Sequence, residues 1–102
     1  MGSRMNLQIL LESILPKGKK AYYQPPSNIT LDYPCIIYER SRIDTDFADD
    51  ASYKLDLRYD VMVITKNPDD PLPLSVARLP RCAFNRHFVQ DNLYHDVFTM
   101  YF

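Results

Sequence analysis

The amino-acid sequence predicts an α+β domain. A mostly antiparallel sheet of about four strands is packed by an N-terminal helix and a short second helix, and a β-hairpin projects from it. Two observations carry that prediction. Leu7, Leu10, Leu11 and Ile14 recur at the spacing of one helix face. From Tyr53 onward the odd positions Tyr53, Leu55, Leu57, Tyr59, Val61 and Val63 are apolar, while Lys54, Asp56, Arg58 and Asp60 alternate with them. Period-two alternation sets one face of a strand on a core and leaves the other wet. A third observation, the dense turn chemistry of Asn67–Pro71 and Asp91–Leu93, separates these segments from a last apolar pair of strands.

The helix is expected over Asn6–Leu15, ended by Pro16 and Gly18. A short basic turn, Lys17, Lys19 and Lys20, follows; cations there suit the negative end of the helix dipole. Pro25 and Pro26 then enforce extended backbone and remove two ladder donors. Tyr33–Arg40 reads as a strand whose apolar middle, Cys35–Tyr38, is expected to be covered on both faces. Ser41–Ser52 turns polar and acidic before Tyr53–Lys66 runs back, which suggests a long antiparallel hairpin with a mobile tip. A strand over Tyr53–Lys66 would reach roughly 45 Å, more than a small core can cover. Part of the ribbon is therefore expected to project and meet a partner.

Asp70 is expected to cap a short helix that has Pro71 at its first position and ends at Leu79. Arg81–Phe102 reads as a final hairpin around a three-residue loop, Asp91-Asn92-Leu93. That register gathers Phe84, Phe88, Phe98, Met100 and Phe102 on one face, with Arg86 and Asp96 diagonal on it. It assigns Asn85, His87, His95 and Thr99 to the opposite face and sets Cys82 across the strand from His87.

With 102 residues the chain is one domain at the marginal end for a single core. Twelve basic and thirteen acidic residues leave a formal net charge of −1, so no global field steers it to nucleic acid or anionic lipid. No apolar run is long enough to span a bilayer, and the start lacks the pattern of a secretion signal. Residues 1–4 read as an expression-derived leader ahead of Met5. Cys35 and Cys82 are expected as buried free thiols, which fits a reducing compartment.

Catalytic signatures are missing. His87 and His95 lack a third zinc ligand. Asp44, Asp46, Asp49 and Asp50 resemble the opening of a calcium loop, without its glycine or closing glutamate. Only Gly2 and Gly18 occur, so no phosphate-cradling loop or nucleophile elbow can be built. No catalytic residue, cofactor or metal is expected. Eight tyrosines in so small a domain suggest a surface that a partner covers. The expected partner interface is the ribbon: Arg42, Asp44, Asp46, Phe47, Asp49, Asp50 and Tyr53. Phe47 is its apolar anchor and the aspartates meet basic groups. Two other classes stay open: a small metal-dependent nuclease using Asp44 and Asp46, and a nucleic-acid module using Lys17, Lys19, Lys20, Arg81 and Arg86.

The succession LQILLESILP, YYQPP, LDYPCIIYER, YDVMVITKNPDDPLP and FNRHFVQDNLYHDVFTMYF resembles tail terminator (tail-completion) proteins of long-tailed bacteriophages, of the prophage minor-tail type. The resemblance spans residues 5–102 as a single domain. It implies a structural virion protein and no enzyme: a hexameric ring that caps the tail tube and joins it to the head connector. The tail-tube protein and a neck protein would be its partners. DNA would pass through the ring without sequence-specific recognition, and no membrane would be involved. It further implies assembly in the host cytoplasm and residence in the virion tail or neck. A neck or head–tail adaptor role is the alternative.

Overall fold

The computed structural model describes residues 4–48 and 52–102, with residues 44–48 and 52–56 described by backbone position alone. Its elements run α1 (Arg4–Ile14), β1 (Ala21–Tyr23), β2 (Cys35–Ala48), β3 (Ser52–Thr65), α2 (Leu72–Ala77), β4 (Cys82–Gln90) and β5 (Leu93–Tyr101). The sheet has five strands in the order β1-β2-β3-β5-β4, antiparallel throughout except where β1 joins β2 in parallel. The α+β class and the two helices match the sequence reading, with one strand more than the four expected.

α1 begins earlier than expected, at Arg4, and buries Leu7 and Leu11 completely while Leu10 and Ile14 pack at the margin. Pro16 follows it, and a turn closes from the Lys19 N–H to the Pro16 carbonyl at 3.0 Å. Gly18 sits in that turn at φ +85°, a conformation that other residues adopt only with strain. The extra strand, β1, pairs Ala21 with Ile36 and Tyr23 with Tyr38. It stops where Gln24 turns to φ +41° and donates its N–H to the Tyr38 carbonyl at 3.0 Å; the prolines beyond have no N–H to continue the ladder. The Tyr33–Pro34 peptide is cis.

Pairing registers sort the strands into two faces. One carries Ala21, Ile36, Tyr38, Tyr59, Val61, Val63, Phe98 and Met100, which form the core with Leu7, Leu11, Leu15, Leu72 and Val76 of the helical layer. The other carries Cys35, Ile37, Glu39, Asp60, Met62, Ile64, His95 and Val97. Cys35, Ile64, His95 and Val97 are buried there as well, so β2 and β5 are covered on both sides in part, as expected of Cys35–Tyr38. Segment 24–31 contributes by lining a hollow against Ile37 and Glu39 on β2. Cys35 and Cys82 are free thiols on opposite faces. Cys82 itself is half-buried against the core.

α2 is shorter than its expected span. Asp70 Oδ1 accepts the Leu72 N–H at 2.9 Å, and Asn67 Oδ1 accepts the Asp69 N–H at 3.0 Å. The Asp70 carboxylate thus meets the first helical N–H and the Asn67 amide closes the turn before it, while Pro71 takes the cap position and not the first helical position expected of it. The helix ends at Ala77, and the Leu79 N–H closes one more turn on the Val76 carbonyl at 3.0 Å.

The final hairpin departs from its expected register. Gln90 pairs with Leu93, so the loop is the two residues Asp91 and Asn92, at φ +54° and +61°. Positive φ at both centres is the geometry that matches strand twist in a two-residue turn, and short Asp and Asn side chains tolerate it. A bulge at Asn85 then shifts the register. Arg86 pairs with Val97 and not with Asp96's face; His87 pairs with Asp96; Phe84 pairs with Phe98. Phe88 leaves the expected aromatic face and stacks on His95, ring centroids 4.5 Å apart. The two histidines therefore lie on opposite faces, while Cys82 shares the face of His87.

Candidate functional site

β3 pairs with β5 only as far as Arg58 opposite Tyr101. β2 and β3 go on together past that point, from Ile43 opposite Leu57 to Ala48 opposite Ser52. Among the described residues no third strand pairs with this ribbon past Leu57, whose carbonyl accepts the Phe102 N–H at 3.1 Å, and the ribbon stretches the molecule to 52 × 23 × 23 Å. The radius of gyration is 14.8 Å, against about 13 Å for an ordinary compact domain near this length. A bulge at Ser41 marks where the ribbon leaves the sheet, and the Ser41 hydroxyl there donates to the Arg58 carbonyl and accepts from Arg58 Nε at 3.1 Å.

Register assigns the ribbon two unlike faces. Ile43, Thr45 and Phe47 stand opposite Leu57, Leu55 and Tyr53. By alternation these six share the face that carries the core. Arg42, Asp44 and Asp46 stand opposite Arg58, Asp56 and Lys54 on the other face. Of the expected interface residues, Arg42 is exposed at the ribbon base, and Asp44, Asp46, Phe47 and Tyr53 occupy the register positions just given. Asp49 and Asp50 lie outside the described residues. The apolar stripe is what the sequence reading missed: Phe47 looked like a lone anchor among acids. Its signal was present in the alternation Ile43, Thr45, Phe47. Ile43 is 50 % exposed, whereas Val61 and Val63 on the same face are fully buried, so the apolar face outruns its helical cover.

The opposite edge of the sheet is β4. Its nine residues end the strand order, and most of its side chains are exposed. Phe84 and Val89 are each 58 % exposed; Phe84 meets Phe98 edge-on at 5.7 Å. Arg86 is exposed too, with its guanidinium 5.7 Å from the Phe88 ring. Natural edges are usually blunted by brevity, proline, lysine or bulges. β4 has one bulge and neither proline nor lysine.

Other candidates disperse. Lys19 pairs with Asp32 at 3.0 Å beside the β1 edge, whereas Arg81 and Arg86 flank or lie on β4 at the other edge, so the five cations form no common patch. His87 Nδ1 lies 2.8 Å from Asp96 Oδ1, and His95 Nδ1 lies 3.1 Å from the Leu93 carbonyl on the other face. Among the described residues no group of three His, Cys, Asp or Glu side chains is placed to hold a metal ion. Among them no helix is long and apolar enough to cross a membrane.

Two tyrosines serve the core. Tyr38 and Tyr59 are fully buried, in a cluster with Tyr23 whose ring centroids lie 5.0 and 6.1 Å apart. The Tyr38 hydroxyl donates to Gln8 Oε1 and accepts from Arg4 at 3.3 Å, and Gln8 Nε2 donates to the Ala21 carbonyl at 2.8 Å. The chain clamps α1 to β1 and β2. Burial pushes both tyrosines above the usual range, and it pushes the Cys35 thiol up to about 11, with Asp32 adding to the effect.

No family model, curated protein or solved structure matches this chain.

Proposed function

We propose that this protein is a structural assembly subunit of a phage tail, which forms a ring that caps the tail tube and joins it to the head connector. The observation that carries the reading is the β2–β3 ribbon. It continues as a paired element beyond the last residue of β5, and Ile43, where it leaves the sheet, is already 50 % exposed. An isolated two-stranded hairpin is marginal in water, so an unpartnered ribbon contributes little to its own domain. It suits a role in contact with another subunit. The resemblance of the chain to tail terminators supplies the particular assembly.

The test is deletion of Asp46–Asp50, which shortens the ribbon and leaves the sheet and both helices intact. Polymerising cognate tail-tube protein is mixed with wild type or deletion protein, and tube lengths are measured by electron microscopy. Wild type is expected to yield capped tubes bound end-on by a ring. The deletion protein is expected to keep its circular dichroism spectrum and fail to cap. Uncapped tubes with the wild-type protein, or normal capping by the deletion protein, would refute the proposal.

A further inference from the structure

We infer that the ribbon of one copy adds, through its β2 strand, to the free edge of β4 in the next copy, making one sheet that runs across subunits. The inference rests on the ring reading above and names the surface that receives the ribbon.

The two edges face opposite ways. β4 closes one side of the sheet, while the outer edge of β2 beyond Tyr38 opens on the β1 side, with β3 and β5 in between. One chain cannot bring them together, so the contact requires a second copy. Both edges carry backbone N–H and C=O groups that an added strand would pair. The strands also run in compatible directions. β2 and β5 are each antiparallel to β3, and β4 is antiparallel to β5, so β4 runs opposite to β2. A neighbour placed with the same face up therefore meets β4 as an antiparallel strand.

The two faces match as well as the edges. On the core face β4, the last strand of the sheet, leaves Phe84 and Val89 exposed, with His87 between them paired to Asp96; the ribbon strand carries Ile43, Thr45 and Phe47 on that face. On the opposite face β4 carries exposed Arg86, and the ribbon strand carries Asp44 and Asp46. In a single placement Phe84 and Val89 would meet Phe47 and Ile43, His87 would meet Thr45, and Arg86 would meet Asp46. A slip by one residue would invert both, so the pairing is specific in register. The acidic strand is thereby suited to β4 and poorly suited to another acidic ribbon, which favours a head-to-tail contact over a two-fold one. Head-to-tail contacts close into rings or continue as filaments.

The experiment measures mass in solution by light scattering and sedimentation. The proteins are wild type, Phe84→Asp, Arg86→Glu, and the charge swap Arg86→Glu with Asp44→Arg and Asp46→Arg. Phe84 and Arg86 are exposed, so each single variant keeps the wild-type circular dichroism spectrum; Arg86→Glu also keeps the melting midpoint, while Phe84→Asp lowers it through the lost contact with Phe98. Wild type assembles, each single variant falls to monomer mass, and the swap regains the assembled mass. An assembled mass unchanged in both single variants, or a swap that stays monomeric, overturns the edge pairing. Tube capping is scored in parallel. A protein that caps tubes with Phe84→Asp and Arg86→Glu in place refutes the edge pairing alone, whereas wild type that assembles without capping refutes the tail reading alone.

Discussion

Leu11 is the best single probe of how the helical layer is held. It is 0 % exposed and lies in the core with Leu7 and Leu15 of its own segment and Val61, Val63 and Phe98 of the sheet. Leu11→Ala removes buried methyl groups and leaves a cavity that the surrounding layer fills only in part. A fully buried leucine truncated this way costs about 2–5 kcal/mol. The core it belongs to sets β-branched Ile36, Val61 and Val63 beside Tyr38, Tyr59 and Phe98, and close packing of stiff side chains relaxes little, so the upper half of that range is expected. Against a total stability of about 5–15 kcal/mol for a domain of this class, the loss is large. At roughly 4–8 °C per kcal/mol, the melting midpoint should fall by well over 10 °C. Urea titration followed by circular dichroism measures it, with the slope unchanged. Ile9→Ala, two residues away and 63 % exposed, is the control and should stay within about 0.5 kcal/mol. A Leu11→Ala cost below about 1 kcal/mol, or an equal cost from Ile9→Ala, would refute the packing.

Two further outcomes follow from the buried polar groups. Tyr38→Phe keeps the ring contacts with Tyr23 and Tyr59 but leaves Gln8 Oε1 without its donor, and should cost about 1–3 kcal/mol by urea titration; a neutral result would show that the clamp carries no net stability. Alkali should weaken the fold, because burial raises the Cys35, Tyr38 and Tyr59 values in the folded state only. For a raised value the contribution is full below the unfolded value and is lost as pH climbs through the folded one. The Cys35 part is therefore present below pH 9.0 and lost toward pH 11, and Cys35→Ala should flatten that part of the profile; identical slopes for both proteins would contradict it.

How much of this was legible in the sequence depended on whether one phase ran through an element. The helix could be read because Leu7, Leu11 and Ile14 keep one period, and β3 because Tyr59, Val61 and Val63 do. The β4–β5 hairpin could not, because the bulge at Asn85 changes phase within the strand: Phe84 and Phe88 keep an even spacing yet end on opposite faces. A single register fitted to all the phenylalanines then demanded a third loop residue. Asp91-Asn92, two residues that accept positive φ, was the better guide to the turn. β1 was hidden for a different reason. Three residues before a pair of prolines give no period, and the parallel pairing depends on β2, which is remote in sequence. Arg4 was set aside with the leader residues, although its guanidinium meets the Tyr38 hydroxyl and lies 4.9 Å from the Tyr23 ring.

The ribbon shows why composition misled where pattern did not. The acids of DTDFADDAS dominate any average over the segment, and an average suggests a strand end polar on all sides. Separated by register, Thr45 and Phe47 fall with Ile43 on one face, and Asp44 and Asp46 fall with Arg42 on the other. The third strand ends at Tyr101, opposite Arg58, and Ile43 is already half exposed. Phe47, Tyr53 and Leu55 lie farther out than Ile43 along the paired strands. Residues that stabilised only the monomer would be placed under α1 or α2. Ile43, half exposed at the start of that face, is what the proposed strand addition accounts for, and the exposed Phe84 and Val89 of β4 are the surface it would meet.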